Sequence, residues 1–205
     1  MFARALLCVT LATPAAAFAT TIDSRPYTNQ LSVGTDNGAD IFGGTFQADG
    51  TQLDSFTLTL SGTAPGAELR AVVMSGVALN APGTLLWQSD AFLIGEAMTE
   101  YSFAPDLALT DGDIYFIGFD SGLLTTVASA GSNRIAVAPD DRIAPGQVLG
   151  RFNGGALFEY SNSQDVASLI VMSGGASDVP LPATLPLAAA GAGLIGLAAR
   201  RRRRG

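Results

Sequence analysis

Residues 54–61 read DSFTLTLS, and this stretch decides the fold class. The apolar residues Phe56, Leu58 and Leu60 alternate with serine and threonine, which is the period of a β-strand. Successive side chains of a strand point to opposite faces of its sheet, so one face is expected to join a core and the other to meet water. The stretch therefore predicts a strand whose sheet is packed on one face.

Strand-like runs of the same kind continue along the chain, separated by turn-forming Asp-Gly, Pro-Gly and Asn-Gly-Gly sequences. No window of ordinary length before the C-terminal tail has a helical stripe. Such a chain is typical of an all-β fold, and we predict an antiparallel, jelly-roll-like β-sandwich over residues 20–172. The further runs are residues 67–75, 84–89, 98–104, 113–120, 133–137, 147–153 and 165–173.

Three segments differ from this alternating pattern. Residues 113–120, DIYFIGFD, are apolar at both parities, which predicts a central strand covered on both faces. Residues 20–40 are polar and rich in turn formers, and we expect a lead-in with room for one edge strand. Residues 173–178, SGGASD, are expected to form a short flexible linker.

The N-terminus has the three regions of a secretory signal peptide. In residues 1–19, MFARALLCVTLATPAAAFA, one arginine precedes an apolar run that is too short to span a membrane, and small residues follow. Cleavage after Ala19 satisfies the small-x-small rule through Ala17, and a cut after Ala17 would serve nearly as well. The only cysteine, Cys8, lies in this peptide, so the mature chain is predicted to have no disulfide.

The charges exclude several classes of function. All 18 acidic residues lie between residues 20 and 178, where the only cations are five arginines; the chain has no histidine and no lysine. Nucleic-acid binding is excluded, because it depends on a basic surface. A Ser-His-Asp triad, a Cys-His pair and the common zinc sites are excluded, because the predicted mature chain has no histidine and no cysteine.

Carboxylate chemistry is the one catalytic option left. A glycoside hydrolase would need two acidic groups facing each other across a cleft. The candidates are Glu68, Glu96, Glu100 and Glu159. Alternation favours the solvated face for Glu100 and Glu159, so we expect no enzyme.

An acidic exported sandwich also offers the oxygen ligands that Ca²⁺ prefers. No loop matches a complete calcium-binding pattern, and Asp before Gly is also the usual composition of a turn. No cofactor is therefore predicted, with calcium left as an open alternative. The candidate ligands are Asp36, Asp40, Asp111, Asp113, Asp140 and Asp141.

Sugar binding normally uses exposed aromatic side chains. The only tryptophan, Trp87, follows two leucines in a strand-like run, which favours a core or half-buried position. A carbohydrate-binding module stays an alternative, with Trp87, Tyr101, Tyr115 and Tyr160 as its candidate residues.

The C-terminal stretch, residues 179–205, reads VPLPATLPLAAAGAGLIGLAARRRRRG and predicts a single hydrophobic helix. At 1.5 Å per residue, Leu185–Ala199 is only about 22 Å long, so it is a short span for a bilayer of about 30 Å. The positive-inside rule places the terminal arginines in the cytoplasm and the acidic domain outside. The arginines that set this orientation are Arg200, Arg201, Arg202, Arg203 and Arg204.

The tail resembles the VPLPA type of the PEP-CTERM sorting signals. The likeness consists of a short motif, an apolar span rich in Ala, Gly and Leu, and a terminal arginine cluster. The motif residues are Val179, Pro180, Leu181, Pro182 and Ala183.

This resemblance implies an exported protein of a Gram-negative bacterium that makes exopolysaccharide, recognised by an exosortase, a membrane-embedded cysteine transpeptidase. Leu181 stands where the commoner form of the signal has glutamate, which implies a dedicated exosortase variant. A plain single-span anchor is the alternative, with Gly191, Gly193 and Gly196 available for helix contacts.

The function expected from the whole sequence is that of a non-enzymatic cell-surface or extracellular-matrix protein. Its precursor would be held in the inner membrane by one C-terminal span and then be released or transferred to the cell surface. The spacing of strands and turns between residues 43 and 119 also looks like the β-sandwich ectodomains that often accompany such signals. Exopolysaccharide is the expected partner beside the exosortase and the membrane.

Overall fold

The structure is a computed structural model, and it describes residues 18–34, 39–62, 67–76, 83–121, 132–138, 143, 146–152, 157–161 and 164–175. Within these ranges every regular element is a β-strand. The strands are β1 (Phe18–Asp23), β2 (Asn29–Gly34), β3 (Ala39–Gln47), β4 (Gln52–Gly62), β5 (Ala67–Ser75), β6 (Thr84–Gln88), β7 (Phe92–Ile94), β8 (Thr99–Phe103), β9 (Leu107–Ala108), β10 (Ile114–Asp120), β11 (Ser132–Val137), β12 (Val148–Phe152), β13 (Leu157–Ser161) and β14 (Ser168–Gly175).

The strands form two antiparallel sheets. Sheet 1 has the order β1-β14-β4-β11-β2, and β8 and β9 also pair with β4. Sheet 2 has the order β13-β12-β3-β10-β5-β6, and β7 pairs with β5. The prediction of an all-β antiparallel sandwich is confirmed.

Strand β10 lies inside sheet 2, between β3 and β5. From Tyr115 to Asp120 every residue is buried, so both faces of the strand are covered. The prediction that residues 113–120 form a central strand is confirmed.

The main core lies between the two sheets. Its largest buried side chains come from both of them, with Phe42 and Phe46 on β3 facing Phe56, Leu58 and Leu60 on β4. The opposite face of sheet 2 carries a second, smaller buried cluster, because neighbouring residues of these strands point in opposite directions. This cluster contains Ile41, Val72, Met74, Phe116 and Leu149.

The expectation that one face of β4 meets water is wrong. Thr57, Thr59 and Ser61 are only 6%, 5% and 3% exposed. The reason is long-range: β4 has partner strands along both edges, so the small side chains of this face lie between those of the neighbouring strands, and the hydroxyl oxygens of Thr57 and Ser102 are 2.8 Å apart. Alternation showed which residues share a face, but not how many strands flank it.

The region of residues 20–40 supplies two edge strands of sheet 1, where the sequence predicted room for one. Strand β1 pairs with β14, and β2 pairs with β11. The chain between them is fixed at Ser24, which is fully buried. Its hydroxyl donates to the carbonyl of Val166 at 2.8 Å and accepts from the amide of Ser168 at 2.8 Å.

The two ends of the sandwich differ from the predicted boundaries. Strand β1 begins at Phe18, two residues inside the predicted signal peptide, so a cut after Ala19 would remove its first two residues. Strand β14 continues to Gly175, three residues into the segment where the sequence predicted a linker. The predicted C-terminal helix lies outside the described residues, and among the described residues no helix is long and apolar enough to cross a membrane.

Strands β3 and β10 approach closely at a pair of glycines. Gly43 lies directly opposite Gly118, and the ring of Phe116 covers both. A Cβ atom added to either glycine would come within 2.7 Å of that ring and still closer to a backbone carbonyl of the neighbouring strand. Only glycine fits at these two positions.

We expect Gly118→Ala to lower the free energy of unfolding by about 1–3 kcal/mol, because the methyl group must push apart two central strands. Urea unfolding of the purified domain measures this loss. Gly95→Ala is the matched control, since a Cβ there has nothing within 4 Å. Equal midpoints for the two variants would contradict the close approach.

We expect Ser24→Ala to cost about 1–3 kcal/mol of stability, because it leaves the buried amide of Ser168 without its hydroxyl acceptor. The control is Ser102→Ala, which removes a hydroxyl pair from an exposed strand position. A smaller shift in melting temperature for Ser24→Ala than for Ser102→Ala would show that the Ser24 contacts do not hold the edge strand.

Candidate functional site

The end of the sandwich where β1 starts and β14 stops is the candidate site. The first residue of β1, Phe18, pairs with the last residue of β14, Gly175. The predicted signal peptide and the predicted sorting tail therefore join the sandwich side by side. We call this surface the tail end; it comprises residues 173–175 and the turns at residues 48–51 and 106–113.

Three hydrogen bonds, which we call the clamp, fasten the end of β14 to Asp54 on β4 and to Thr51, the residue just before β4. The amide of Thr51 donates to the carbonyl of Ser173 at 2.9 Å, and the hydroxyl of Ser173 donates to the carboxylate of Asp54 at 2.9 Å. The hydroxyl of Thr51 makes a longer bond of 3.5 Å to the carbonyl of Gly174. The clamp holds the chain at Ser173 and Gly174, the latter five residues before Val179.

Gly174 has a backbone φ of +74°, which a residue with a side chain rarely adopts. A Cβ atom there would also collide with the hydroxyl of Thr51. On the other side of the turn, a Cβ on Gly50 would come within 2.8 Å of the Ser173 carbonyl. The clamp thus depends on two glycines that allow the backbones to meet.

Two of the candidate calcium ligands lie at the tail end, where they take part in turns. Asp111 accepts a hydrogen bond from the amide of Gly50 at 3.1 Å, and the carbonyl of Asp113 accepts from the amide of Ala48 at 2.9 Å. No group of three or more acidic side chains suited to a metal ion occurs in the part of the chain that the structure describes. Asp36, Asp140, Asp141 and the side chain of Asp40 lie outside it.

Glu100 is engaged in a surface ion-pair network. Its two carboxylate oxygens lie 3.3 and 3.4 Å from Arg25, whose guanidinium also bonds Asp23 at 2.9 Å. The hydrogen bond that the guanidinium donates to Asp23 is the main cause that raises the pKa of Arg25, and burial opposes it. Glu100 is therefore held by an arginine across the outer face of sheet 1.

The other candidate glutamates are placed on separate elements. Glu68 and Glu96 are exposed, on β5 and on the turn after β7. Glu159 lies on β13 at the far edge of sheet 2, and one of its carboxylate oxygens is buried with no hydrogen-bond partner.

The aromatic candidates for sugar binding are used in packing where the structure describes them. Trp87 is half-buried, with its ring edge-on to Phe56 at 5.9 Å and to Phe103 at 6.3 Å, so the prediction for Trp87 is confirmed. The hydroxyls of Tyr101 and Tyr115 accept bonds from the amides of Gly95 and Thr110. The side chain of Tyr160 lies outside the described residues.

The tail that follows the clamp matches a known family model. Residues 178–204 match the PEP-CTERM protein-sorting motif. The chain carries a PEP-CTERM sorting motif. The match contains all five residues of the VPLPA sequence and all five terminal arginines, and it supports an exported, membrane-anchored precursor that an exosortase processes.

The body of the chain has only distant likenesses. No curated protein matches it. One solved structure, of infectious bursal disease virus Gt strain, is 12% identical in sequence, with a TM-score of 0.33. The alignment covers 85% of this chain and 38% of that chain. A second, of the T13 IBDV viral particle, is 12% identical with a TM-score of 0.32, and 87% of this chain covers 45% of it. Both proteins are much longer, and TM-scores this low support no conclusion about fold or function.

The sequence predicted the sorting tail but missed the clamp. The PEP-CTERM motif is linear, so its residues can be identified without a fold. Ser173 and Asp54 are 119 residues apart, and no local pattern indicates that they meet. The one local signal was the Asp49-Gly50 turn, which is the turn that brings Thr51 to the end of β14.

We expect Ser173→Ala to lower the stability by about 0.5–1.5 kcal/mol, because it removes the hydrogen bond to Asp54. Amide hydrogen exchange at Thr51 should become faster, since its acceptor lies on the loosened end of β14. Ser102→Ala, which removes a hydroxyl contact elsewhere on β4, should leave the Thr51 amide protected. Unchanged exchange at Thr51 in Ser173→Ala would mean that the clamp does not fasten the strand.

Proposed function

We propose that the protein is a non-enzymatic surface or matrix protein whose acidic β-sandwich is delivered through its PEP-CTERM motif and associates with exopolysaccharide. The observation that carries this proposal is the match at residues 178–204, placed directly after the end of the last strand at Gly175. A folded body and a processed tail thus follow each other with only a few residues between them.

The proposed route begins with export through the N-terminal signal peptide. The C-terminal span then holds the precursor in the inner membrane, with Arg200–Arg204 in the cytoplasm, because five arginines do not enter hydrocarbon. The exosortase acts near the VPLPA sequence, at the outer side of the span. The sandwich leaves its anchor there and passes to the cell surface.

A structural role is supported by how the acidic side chains are used. Glu100 is paired with Arg25, and Asp111 accepts from a turn amide. Glu68 and Glu96 are exposed on different elements. Glu100 and Asp111 stabilise a surface and a turn, which fits a protein that acts by binding or coating.

We expect the native protein to lack the arginine cluster and the Pro182→Ala variant to retain it, because Pro182 lies in the proposed recognition sequence. Intact mass of both proteins, purified from the envelope and from the medium, measures this difference. Pro186→Ala is the matched control: it removes a proline from the same tail outside VPLPA, and its processing should be normal. A native mass that still includes Arg200–Arg204 would instead identify a permanent membrane anchor.

A further inference from the structure

We propose that the clamp is a fixed stop that sets the distance between the sandwich and the cleaved tail, so that the tail end docks against the membrane-embedded processing enzyme. This inference rests on the proposed sorting function and deepens it. It assigns Thr51, Asp54 and Ser173 as positioning residues for a cleavage that takes place outside the sandwich.

The first step is the length of chain between the clamp and the motif. Strand β14 ends at Gly175, and only residues 176–178 separate it from Val179. At 3.3–3.6 Å per extended residue, the four steps from Gly175 to Val179 span at most about 14 Å. The folded body is therefore close to the motif whenever the enzyme holds the tail.

The second step is the size of the body that the enzyme meets. Neighbouring strands lie about 4.8 Å apart and packed sheets about 10 Å apart, so the five steps from β13 to β6 across sheet 2 alone are roughly 24 Å wide. A body of that width does not enter a site that accepts an extended peptide. The tail end must then rest on the outer surface of the enzyme during cleavage.

The third step is the number of residues that can detach from the end of β14 before the core is exposed. Ser173 and Gly174 are held by the clamp and are not buried, and Gly175 pairs with Phe18, which a signal-peptide cut after Ala19 removes. The next residue inward, Met172, is fully buried in the main core, as is Ile170. Peeling β14 back can therefore add three residues of tether before the core is opened.

Removal of residues 176–178 from the full chain, expressed in its own host, tests the stop. The distance from Gly175 to Val179 then falls to about 3.8 Å, the length of one peptide step. We expect the tail-retaining form to become the main species by intact mass. A variant in which residues 176–178 are replaced by Gly-Ser-Gly keeps the length and should be processed normally.

Loosening the clamp should then restore cleavage of the shortened chain. Adding Ser173→Ala or Asp54→Ala removes the side-chain bond between these residues, so the end of β14 peels more readily and supplies the missing length. Adding Ser102→Ala, which removes a hydroxyl contact away from the clamp, should restore nothing. Thermal melting of each purified variant checks that the sandwich is still folded.

Three outcomes would overturn the proposal. Normal processing of the deletion variant would show that no stop exists. Failure of the Gly-Ser-Gly variant would show that the enzyme reads these residues and not their number. If neither clamp variant restores processing of the deletion variant, the clamp does not limit the length of chain that reaches the enzyme. The unaltered chain in the same host separates these results from the sorting function itself, because that function fails only if the unaltered chain keeps its arginine tail.

Discussion

The hydrogen-bonding requirement of β4 is the constraint on which the rest of the structure depends. A buried strand must find partners for its amides and carbonyls on both edges. Strand β4 finds them in β14 and β11 on one edge and in β8 and β9 on the other. These partners come from three separate parts of the chain, because β8 and β9 are neighbours in sequence. Pairing the edges of β4 therefore brings residues 99–108, β11 and β14 into one sheet.

The parts of the fold that could be predicted are the strands with a clear local pattern of apolar and polar residues. Strand β5 has the bounds that the sequence predicted, and β10 is central because it is apolar at both parities. The polar strands β1 and β2 and the short strands β7 and β9 have too little alternation to be recognised. They are strands because a neighbour offers them an edge, and that neighbour is far away in sequence.

Only the sorting motif of the candidate site could be predicted from the sequence; the clamp could not. The sorting motif is recognised by residue types in a row, so it needs no knowledge of the fold. The clamp consists of a serine, a threonine and an aspartate of ordinary appearance, and only the pairing of β14 with β4 makes them a unit. The buried threonines of β4 show the same limit, because alternation identifies a face and not what covers it.

Charge is distributed unevenly along the sandwich. The carboxylates of Asp49, Asp54, Asp106, Asp111 and Asp113 lie at or beside the tail end. Among the described arginines, Arg70, Arg134 and Arg151 lie toward the opposite end of the sandwich. Their neighbours across the strand ladders are Asp120, Ser61 and Ile41. A surface that receives the tail end thus has to be neutral or cationic, since an anionic one would repel it.

The pairing of β1 with β14 also decides where the chain can be attacked after the signal peptide is removed, because the new N-terminus at Thr20 lies opposite Met172. Both chain ends leave the sandwich at the same place, and β4 extends roughly 33 Å away from them to Gly62. At that far end the amide of Gly62 donates a hydrogen bond to the carbonyl of Gly95. Exopeptidases in the surroundings need a free terminus, so they can begin digestion only at the end of the sandwich where the two termini lie.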